Sequence, residues 1–326
     1  MTRAAHRSLR WGVLGAGRIA EGALIPALHS LGSPVVAVGC RDATRGAAYA
    51  QRNGIATALG YEALLAREDI DAVYIALHNS AHLPWTLAAL RAGKHVLCEK
   101  PLALSAAEVR DMQAAQAAAG RQVMEAFMYR FHPQVSRAAE IVRSGELGEL
   151  RLLRGAFGFD LSGLPQDSRW DPALGGGALY DVGCYPLNLM RLLSGHEPEL
   201  VSADADFSAS GVDQLAHVQL RLGSAIGHLD CGFALPLLDH HFELFGSRGH
   251  LRLPQPFIAK NVAAELQVSL QGVERIERFE PVDHYALMVA HFERAALGEE
   301  ALRWGLDDAL AQAQALDAIL QRIRPA

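Results

Sequence analysis

Four short β-rich runs, RWGVLGAG, VVAVGCR, AVYIAL and HVLCEK, recur through the first third of the chain, with longer Ala/Leu-rich stretches such as PWTLAALRAGK and AAEVRDMQAAQAAAG between them. No other feature constrains the fold as strongly. The long stretches carry helical spacing and end on a glycine, where helices commonly stop. The short runs are apolar on both faces, so each strand must be covered above and below. Strand and helix taking turns therefore predict a parallel sheet wrapped by helices. The run RQVMEAFMYR supplies one further strand before the rhythm changes.

After about Glu125 the pattern is different. HPQVSRAAEIVRSGELG reads as a helix ending at a glycine and LRLLRGAFGFD as a strand. Beyond Glu199 the runs VSADADFS, AHVQLRLGSAIGHLDCGFAL, HHFELFGSRGHLRLP and AELQVSLQGVERIERFEP alternate with period two, and glycines fall between them. Such patterning indicates an antiparallel sheet with one open face. HYALMVAHFERAALG and LDDALAQAQALDAILQRI read as closing helices. A chain of 326 residues is long for one core, so two closely packed domains are expected, residues 1–124 and 125–326. The expected fold class is α/β: a doubly wound parallel sheet, then an α+β domain with a large, open, mostly antiparallel sheet.

A formal charge of −6 and the lack of a dense Lys/Arg run give no attraction to a polyanion, so no nucleic-acid partner is expected. Cys40, Cys98, Cys184 and Cys231 are far apart and form no Cys-x-x-Cys pair, which suggests neither a metal site nor a disulfide framework. His240 and His241 alternate across a strand and do not make a shared metal ligand pair. A reducing, cytoplasmic compartment fits. The segment MTRAAHRSLR is basic, lacks an apolar stretch for signal cleavage and reads as a short frayed tail; no run of eighteen apolar residues predicts a membrane span.

The chemistry starts at VLGAGRIA, where Gly15, Gly17 and Ala20 form a G-x-G-x-x-A turn between a strand and a helix. The first glycine permits the tight turn, the second lets backbone approach a pyrophosphate, and Ala20 lets helix and strand pack closely, as in a Rossmann dinucleotide-binding domain. Arg18 and Ile19 complete the turn as candidate cofactor contacts. At the end of the second strand, GCRD offers Arg41 for a ribose 2′-phosphate and Asp42 for a 2′-hydroxyl. Arg41 favours NADP; NAD is the alternative.

HVLCEKPLAL puts Glu99, Lys100 and Pro101 at the C-terminal end of a strand, the edge where open α/β sheets gather ligands. Proline disfavours the α region for Lys100 and holds it extended. Further on, in GGGALYDVGCYPLN, three glycines precede a helix on which Asp181 and Tyr185 stand four apart and share one face. From the residues alone Asp181 reads equally as a helix cap and Tyr185 as a core aromatic.

The pieces VLGAGRIA, AGKHVLCEKPLAL, MEAFMYRFHPQ and GGGALYDVGCYPLNLMRLL, in this order over roughly residues 10 to 195, resemble the Gfo/Idh/MocA oxidoreductases, and MEAFMYRFHP with DVGCYP resembles the branch of NADP-dependent sugar and dihydrodiol dehydrogenases. The resemblance implies a catalytic Lys100, and an acid/base pair in Asp181 and Tyr185, where inositol dehydrogenases usually carry His at the second position. It implies a homodimer or homotetramer formed through the C-terminal sheet. The long exported leader of glucose–fructose oxidoreductase has no counterpart here, so a periplasmic life is not expected.

Tyrosine titrates near 10 and is a poor base at neutral pH, but a nearby ammonium favours its phenolate. Lys100 and Tyr185, from separate lobes, are therefore expected to meet over one nicotinamide ring, Tyr185 taking the hydroxyl proton while Asp181 bonds sugar hydroxyls or orients Lys100. The glycines let the loop approach the cofactor. Asn79 lines the nucleotide pocket by resemblance, and His82 is either a second contact there or a cap on the next helix. Glu99 and Arg130 complete the expected cofactor set, Arg130 having an ion pair with Glu125 as its structural alternative. Trp170 borders the substrate. The expected small-molecule substrate is an aldose such as xylose or glucose, or a related cyclic diol. A nucleotide-sensing regulator on the same fold, or a reductase of keto-sugars or dicarbonyls, is the competing reading.

Overall fold

Strands β1 (Trp11–Leu14), β2 (Val35–Gly39), β3 (Ala58–Leu59), β4 (Ala72–Ile75), β5 (His95–Cys98) and β6 (Val123–Glu125) form the first sheet of the structure, a computed structural model that describes residues 8–323. The segment read as a frayed tail lies, up to Arg7, outside the described residues. All six strands pair in parallel, in the order β3-β2-β1-β4-β5-β6. Strand order reverses between β1 and β4, the switch point at which such sheets take ligands. Helices α1 (Ile25–Leu31), α2 (Ala43–Arg52), α3 (Tyr61–Leu65), α4 (His82–Arg91) and α5 (Ala106–Ala119) connect the strands. Every residue of β1, β4 and β5 is buried, as a sheet covered on both faces requires. The strand expected over RQVMEAFMYR stops early. Ala126 N closes onto Cys98 O at 2.8 Å, and the chain then coils into a 3₁₀ turn over Met128–Phe131.

The chain divides into two units. The first contains residues up to Ala103, Ala107–Ala126 and Tyr285–Ala309; the second contains Leu104–Ala106, Phe127–His284 and the chain from Leu310 on. One crossing, Ala126/Phe127, lies beside the expected boundary at 124/125, and the chain crosses again at Ala103/Leu104, Ala106/Ala107, His284/Tyr285 and Ala309/Leu310. A carboxylate explains the return of residues 285–309. Glu293, on the helix His284–Ala296, accepts from Trp11 Nε1 at 2.8 Å and Leu9 N at 3.3 Å, and Phe292 packs on the Trp11 ring at 5.6 Å. Leu104 counts with the second unit because its carbonyl accepts the Tyr180 hydroxyl at 2.6 Å.

The second unit holds β7 (Leu150–Asp160), β8 (Glu199–Phe207), β9 (Asp213–Leu222), β10 (Ala225–Gly232), β11 (Ala234–Gly246), β12 (Gly249–Leu253), β13 (Ala264–Leu270) and β14 (Val273–Phe279), ordered β14-β13-β12-β11-β7-β10-β9-β8. The long β7 pairs antiparallel with β11 but parallel with β10, so the sheet is mixed although mostly antiparallel. Helices α6 (Pro133–Arg143) and α7 (Cys184–Ser194) lie on it, α7 against β7, β9 and β10. The period-two reading holds on β9, where Ala216, Val218, Leu220 and Leu222 are buried while His217 and Arg221 are exposed.

Among the described residues no helix is long and apolar enough to cross a membrane, and no three His, Cys, Asp or Glu side chains group as a metal site. His240 is buried and His241 half-exposed, in keeping with alternation along β11. All four cysteines are buried and free.

Candidate active site

The turn after β1 is shaped by its glycines. Gly15 has φ +109°, and a Cβ there would stand 2.3 Å from Ala76 O, so no other residue fits. At Gly17 the same oxygen would lie 3.2 Å away. The backbone is therefore laid bare at the switch point, the cradle a pyrophosphate needs. Ala20 is fully buried against the sheet, while Arg18 and Ile19 are exposed at the start of the helix. That helix begins with a π-turn, Ala20–Leu24, before α1. Tyr49 OH bonds Gly17 O at 3.0 Å and Arg45 Nη2 bonds Ala16 O at 3.2 Å, fastening α2 to the turn.

At the end of β2 the two candidates divide. Asp42 is the N-cap of α2, its Oδ1 accepting from Arg45 N at 2.7 Å. Arg41 is exposed, near Tyr61, whose hydroxyl burial holds above the usual phenol range. Arg45 stands on the next helical turn. It was not singled out from the sequence, where an arginine in RDATRG reads as an ordinary solvated helix residue.

The EKP corner is held by buried polar groups. The half-buried Lys100 precedes Pro101 through a cis peptide bond. Glu99, buried, accepts the Tyr74 hydroxyl and, at 3.2 Å, the Lys100 backbone N–H. Glu125 Oε1 takes Leu102 N at 2.8 Å. His82 is fully buried, Nδ1 facing Pro101 O at 2.8 Å and Nε2 facing Leu77 O at 3.2 Å. Two carbonyls favour the protonated ring, yet burial outweighs them and lowers this histidine to about 4. His82 and Glu99 thus also brace the corner from within the chain. Asn79 is half-buried at the first position of the short turn Asn79–Ala81, beyond the end of β4.

In the second unit the three glycines are closely fitted by neighbouring backbone and side-chain atoms. Gly175 has φ +78° and Gly177 φ +121°, and a Cβ on Gly176 would stand 2.4 Å from Arg169 O. They are needed because the backbone of residues 169–171 comes down on them: Gly176 N bonds Asp171 O at 2.9 Å and Gly177 N bonds Arg169 O at 3.0 Å. The helix that follows also opens on a π-turn, Leu179–Gly183, which carries Asp181 and runs into α7 with Tyr185. Wide turns of this kind recur at functional sites.

Asp181 is engaged. Its Oδ2 accepts from Arg169 Nε at 2.6 Å, and Arg169 Nη1 reaches Asp167 at 3.1 Å. The two carboxylates, Asp181 first, hold the Arg169 guanidinium charged in spite of burial. Tyr185 is 6 % exposed among Phe127, Tyr129, Phe157 and Phe257, with ring centroids 5.3–5.8 Å away, and its hydroxyl lies 3.7 Å from Met128 Sδ. It is a packed aromatic as well as a candidate acid/base. Trp170 is half-buried, edge-on to Phe233 at 5.4 Å. Arg130 is buried. Its Nε donates to Asn188 Oδ1 at 2.6 Å beside the Tyr129 hydroxyl, and its guanidinium lies over Phe127 at 5.2 Å. Asn188 passes the network on to Gln312, 3.2 Å away. A buried guanidinium requires such partners.

A bare glycine turn at the switch point of a doubly wound sheet defines a dinucleotide-binding α/β protein. Comparison with known proteins agrees. Residues 9–127 match the oxidoreductase family with the NAD-binding Rossmann fold, and residues 135–252 match the GFO/IDH/MocA C-terminal domain. D-xylose 1-dehydrogenase (NADP(+)) 2 of Haloferax volcanii is 37% identical over 316 residues, 96% of this chain and 97% of that one. Mouse trans-1,2-dihydrobenzene-1,2-diol dehydrogenase is 38% identical over 232 residues, 70% of this chain and 69% of that one. Among solved structures, a 3-ketoreductase from Actinomadura kijaniata in complex with NADP and TDP-benzene superposes with a TM-score of 0.91 at 31% identity, covering 98% of both chains. The chain belongs to the Gfo/Idh/MocA family of NAD(P)-binding oxidoreductases.

Proposed function

We propose that this chain is an NADP-dependent dehydrogenase that oxidises a CH–OH group of an aldose such as xylose or glucose, or of a related cyclic diol. The observation that carries the reading is the end-to-end likeness to an NADP(+) D-xylose 1-dehydrogenase in a chain that keeps Lys100, Asp181 and Tyr185. Arg41, with Arg45 beside it, supports a 2′-phosphate, since Asp42 is occupied as a helix cap.

Bound nicotinamide supplies the hydride acceptor. The chain's own residues manage charge and proton. Tyr185 Oη takes the hydroxyl proton as the C–H bond breaks, and the Lys100 ammonium favours the phenolate and polarises the substrate oxygen. Asp181, kept charged by Arg169, accepts from a sugar hydroxyl. Gly15, Gly17 and the helix start at Arg18 and Ile19 hold the pyrophosphate, and Asn79 lines the nucleotide. Trp170 borders the sugar. The pairing of open sheets into a homodimer or homotetramer, and a cytoplasmic setting that suits four free thiols, belong to the same reading.

The superposition with a 3-ketoreductase supports a second reading, the reverse reaction on a keto-sugar. One assay serves both. Aldoses and diols are screened with NADP and with NAD, keto-sugars with NADPH, and the nicotinamide absorbance is followed. NADP reduction by an aldose or diol is expected. No absorbance change with any member of the panel refutes the enzyme and leaves the nucleotide-sensing regulator.

A further inference from the structure

The helix that carries Asp181 and Tyr185 begins with backbone N–H groups that have no partner inside it. One carboxylate from elsewhere in the same unit takes one of them. Leu179 N donates to Asp213 Oδ2 at 2.6 Å. Asp213 is the first residue of β9 and is 4 % exposed. Its other oxygen lies against the last of the three glycines, so close that a Cβ on Gly177 would stand 2.1 Å from Oδ1. The glycine is what admits the carboxylate. A negative group on the leading N–H groups also suits the positive end of the helix.

We propose that Asp213 is a positioning residue of the reaction, fixing the first turn of the helix so that Asp181 and Tyr185 are presented in one arrangement. The inference rests on the function proposed above and adds a residue to it. The turn is gripped from two sides. Arg169 and Asp171 carbonyls hold Gly177 N and Gly176 N, while Asp213 holds Leu179 N. If Asp213 is neutralised, the second grip loses an acceptor while the first remains.

Burial pushes the Asp213 carboxyl up to about 6 despite its N–H partners. The titratable group set against it is the thiol of Cys231 on β10. Cys231 is held neutral, first by burial and then by the Asp213 charge. Loss of the proton-free carboxylate thus falls between pH 7 and 5, inside the range of an ordinary assay.

The test compares the full-length protein with Asp213→Asn, which keeps the volume, loses the charge and points an N–H at an N–H. Three readouts are taken: amide hydrogen exchange of the peptide spanning Gly175 to Leu187, NADPH binding by fluorescence, and kcat/KM against pH with D-xylose and NADP. Expected in the variant are exchange at least about tenfold faster in that peptide alone, unchanged NADPH affinity, and kcat/KM lower by roughly 10- to 100-fold, the scale of a small misplacement of reacting groups. The wild-type fall in kcat/KM as pH drops through about 6 should be missing from the variant, which a merely structural role would not produce. Wild-type exchange in the variant, or wild-type kcat/KM with its acid limb intact, overturns the proposal. Should the variant not fold, the wild-type protein decides alone. Intrinsic-rate-corrected exchange of this peptide, taken relative to peptides elsewhere in the second unit, that is faster at pH 6 than at 7.5 supports Asp213, and an unchanged ratio overturns it. A wild-type protein inert towards every substrate refutes the proposed function, while the exchange comparison still decides what Asp213 does.

Discussion

Lowering the pH from 7.5 to 5 should strongly destabilise this protein, because of five buried histidines. His82, His95, His132 and His240 are each lowered to about 4, and His284 to about 3, with burial the leading cause in every case. Each binds its proton near 6.5 when unfolded. The folded state therefore binds fewer protons than the unfolded state between about 6.5 and 4, and stability is lost as pH falls through that window. At pH 5 each group costs about 2 kcal/mol, and five independent groups about 10 kcal/mol, which matches the whole stability of an ordinary domain. Asp213 works the other way. Its folded value near 6 lies above the unfolded one, so protonation between 7.5 and 5 returns about 1.5 kcal/mol, too little to offset the histidines. Chemical denaturation followed by fluorescence at half-unit pH steps measures the slope. An unfolding free energy that is flat from pH 7.5 to 5.5 would refute the reasoning, and His132→Gln, which removes one titrating ring, should flatten the slope by about a fifth.

Tyr185→Phe should bind NADPH as wild type does yet lose roughly 10²- to 10⁴-fold in kcat, the usual contribution of a proton-transfer group, as stopped-flow absorbance would show. Arg41→Ala should raise KM for NADP by roughly 10- to 100-fold and leave KM for NAD unchanged, as expected for one charge-assisted contact to a phosphate; equal effects on both cofactors would remove Arg41 from the ribose. Arg169→Met should lower kcat/KM by a similar factor because it strips Asp181 of its partner. Arg169→Lys should restore part of the loss in the same steady-state assay, part only because lysine lacks the planar fork.

Much of the first unit is legible in the sequence because its signals are local. A strand buried on both faces shows as an unbroken apolar run, and the turn after β1 can only be written with glycine where Ala76 O stands in the way. The EKP corner is legible as a position, the end of β5, but its supports are not. Glu125 reaches Leu102, and His82 reaches Pro101, across gaps of 23 and 19 residues. The same holds for the return of residues 285–309, which depends on one carboxylate meeting Trp11. Arg130 Nε likewise donates to Asn188, 58 residues away, a pairing no local pattern shows. Asp213 and Arg169 left no trace at all, because an aspartate at a strand start and an arginine in a loop are the most ordinary surface pattern there is.

The three glycines show how a correct signal can be given the wrong cause. Read locally, Gly175–Gly177 mean freedom. In the folded chain the missing side chains are filled by other groups: Arg169 O against Gly176 and the Asp213 carboxylate against Gly177. The same logic governs Gly15, whose missing Cβ is replaced by Ala76 O. Both candidate helices thus start from a glycine turn locked by polar atoms from another element, and both then open with a π-turn. Such a start holds each turn by specific hydrogen bonds and close steric fit rather than by helix propensity. Rigidity at these two points comes from buried polar contacts, so a substitution that adds a single methyl group at either turn should disturb the chemistry more than the loss of a whole side chain from the exposed helix faces behind them.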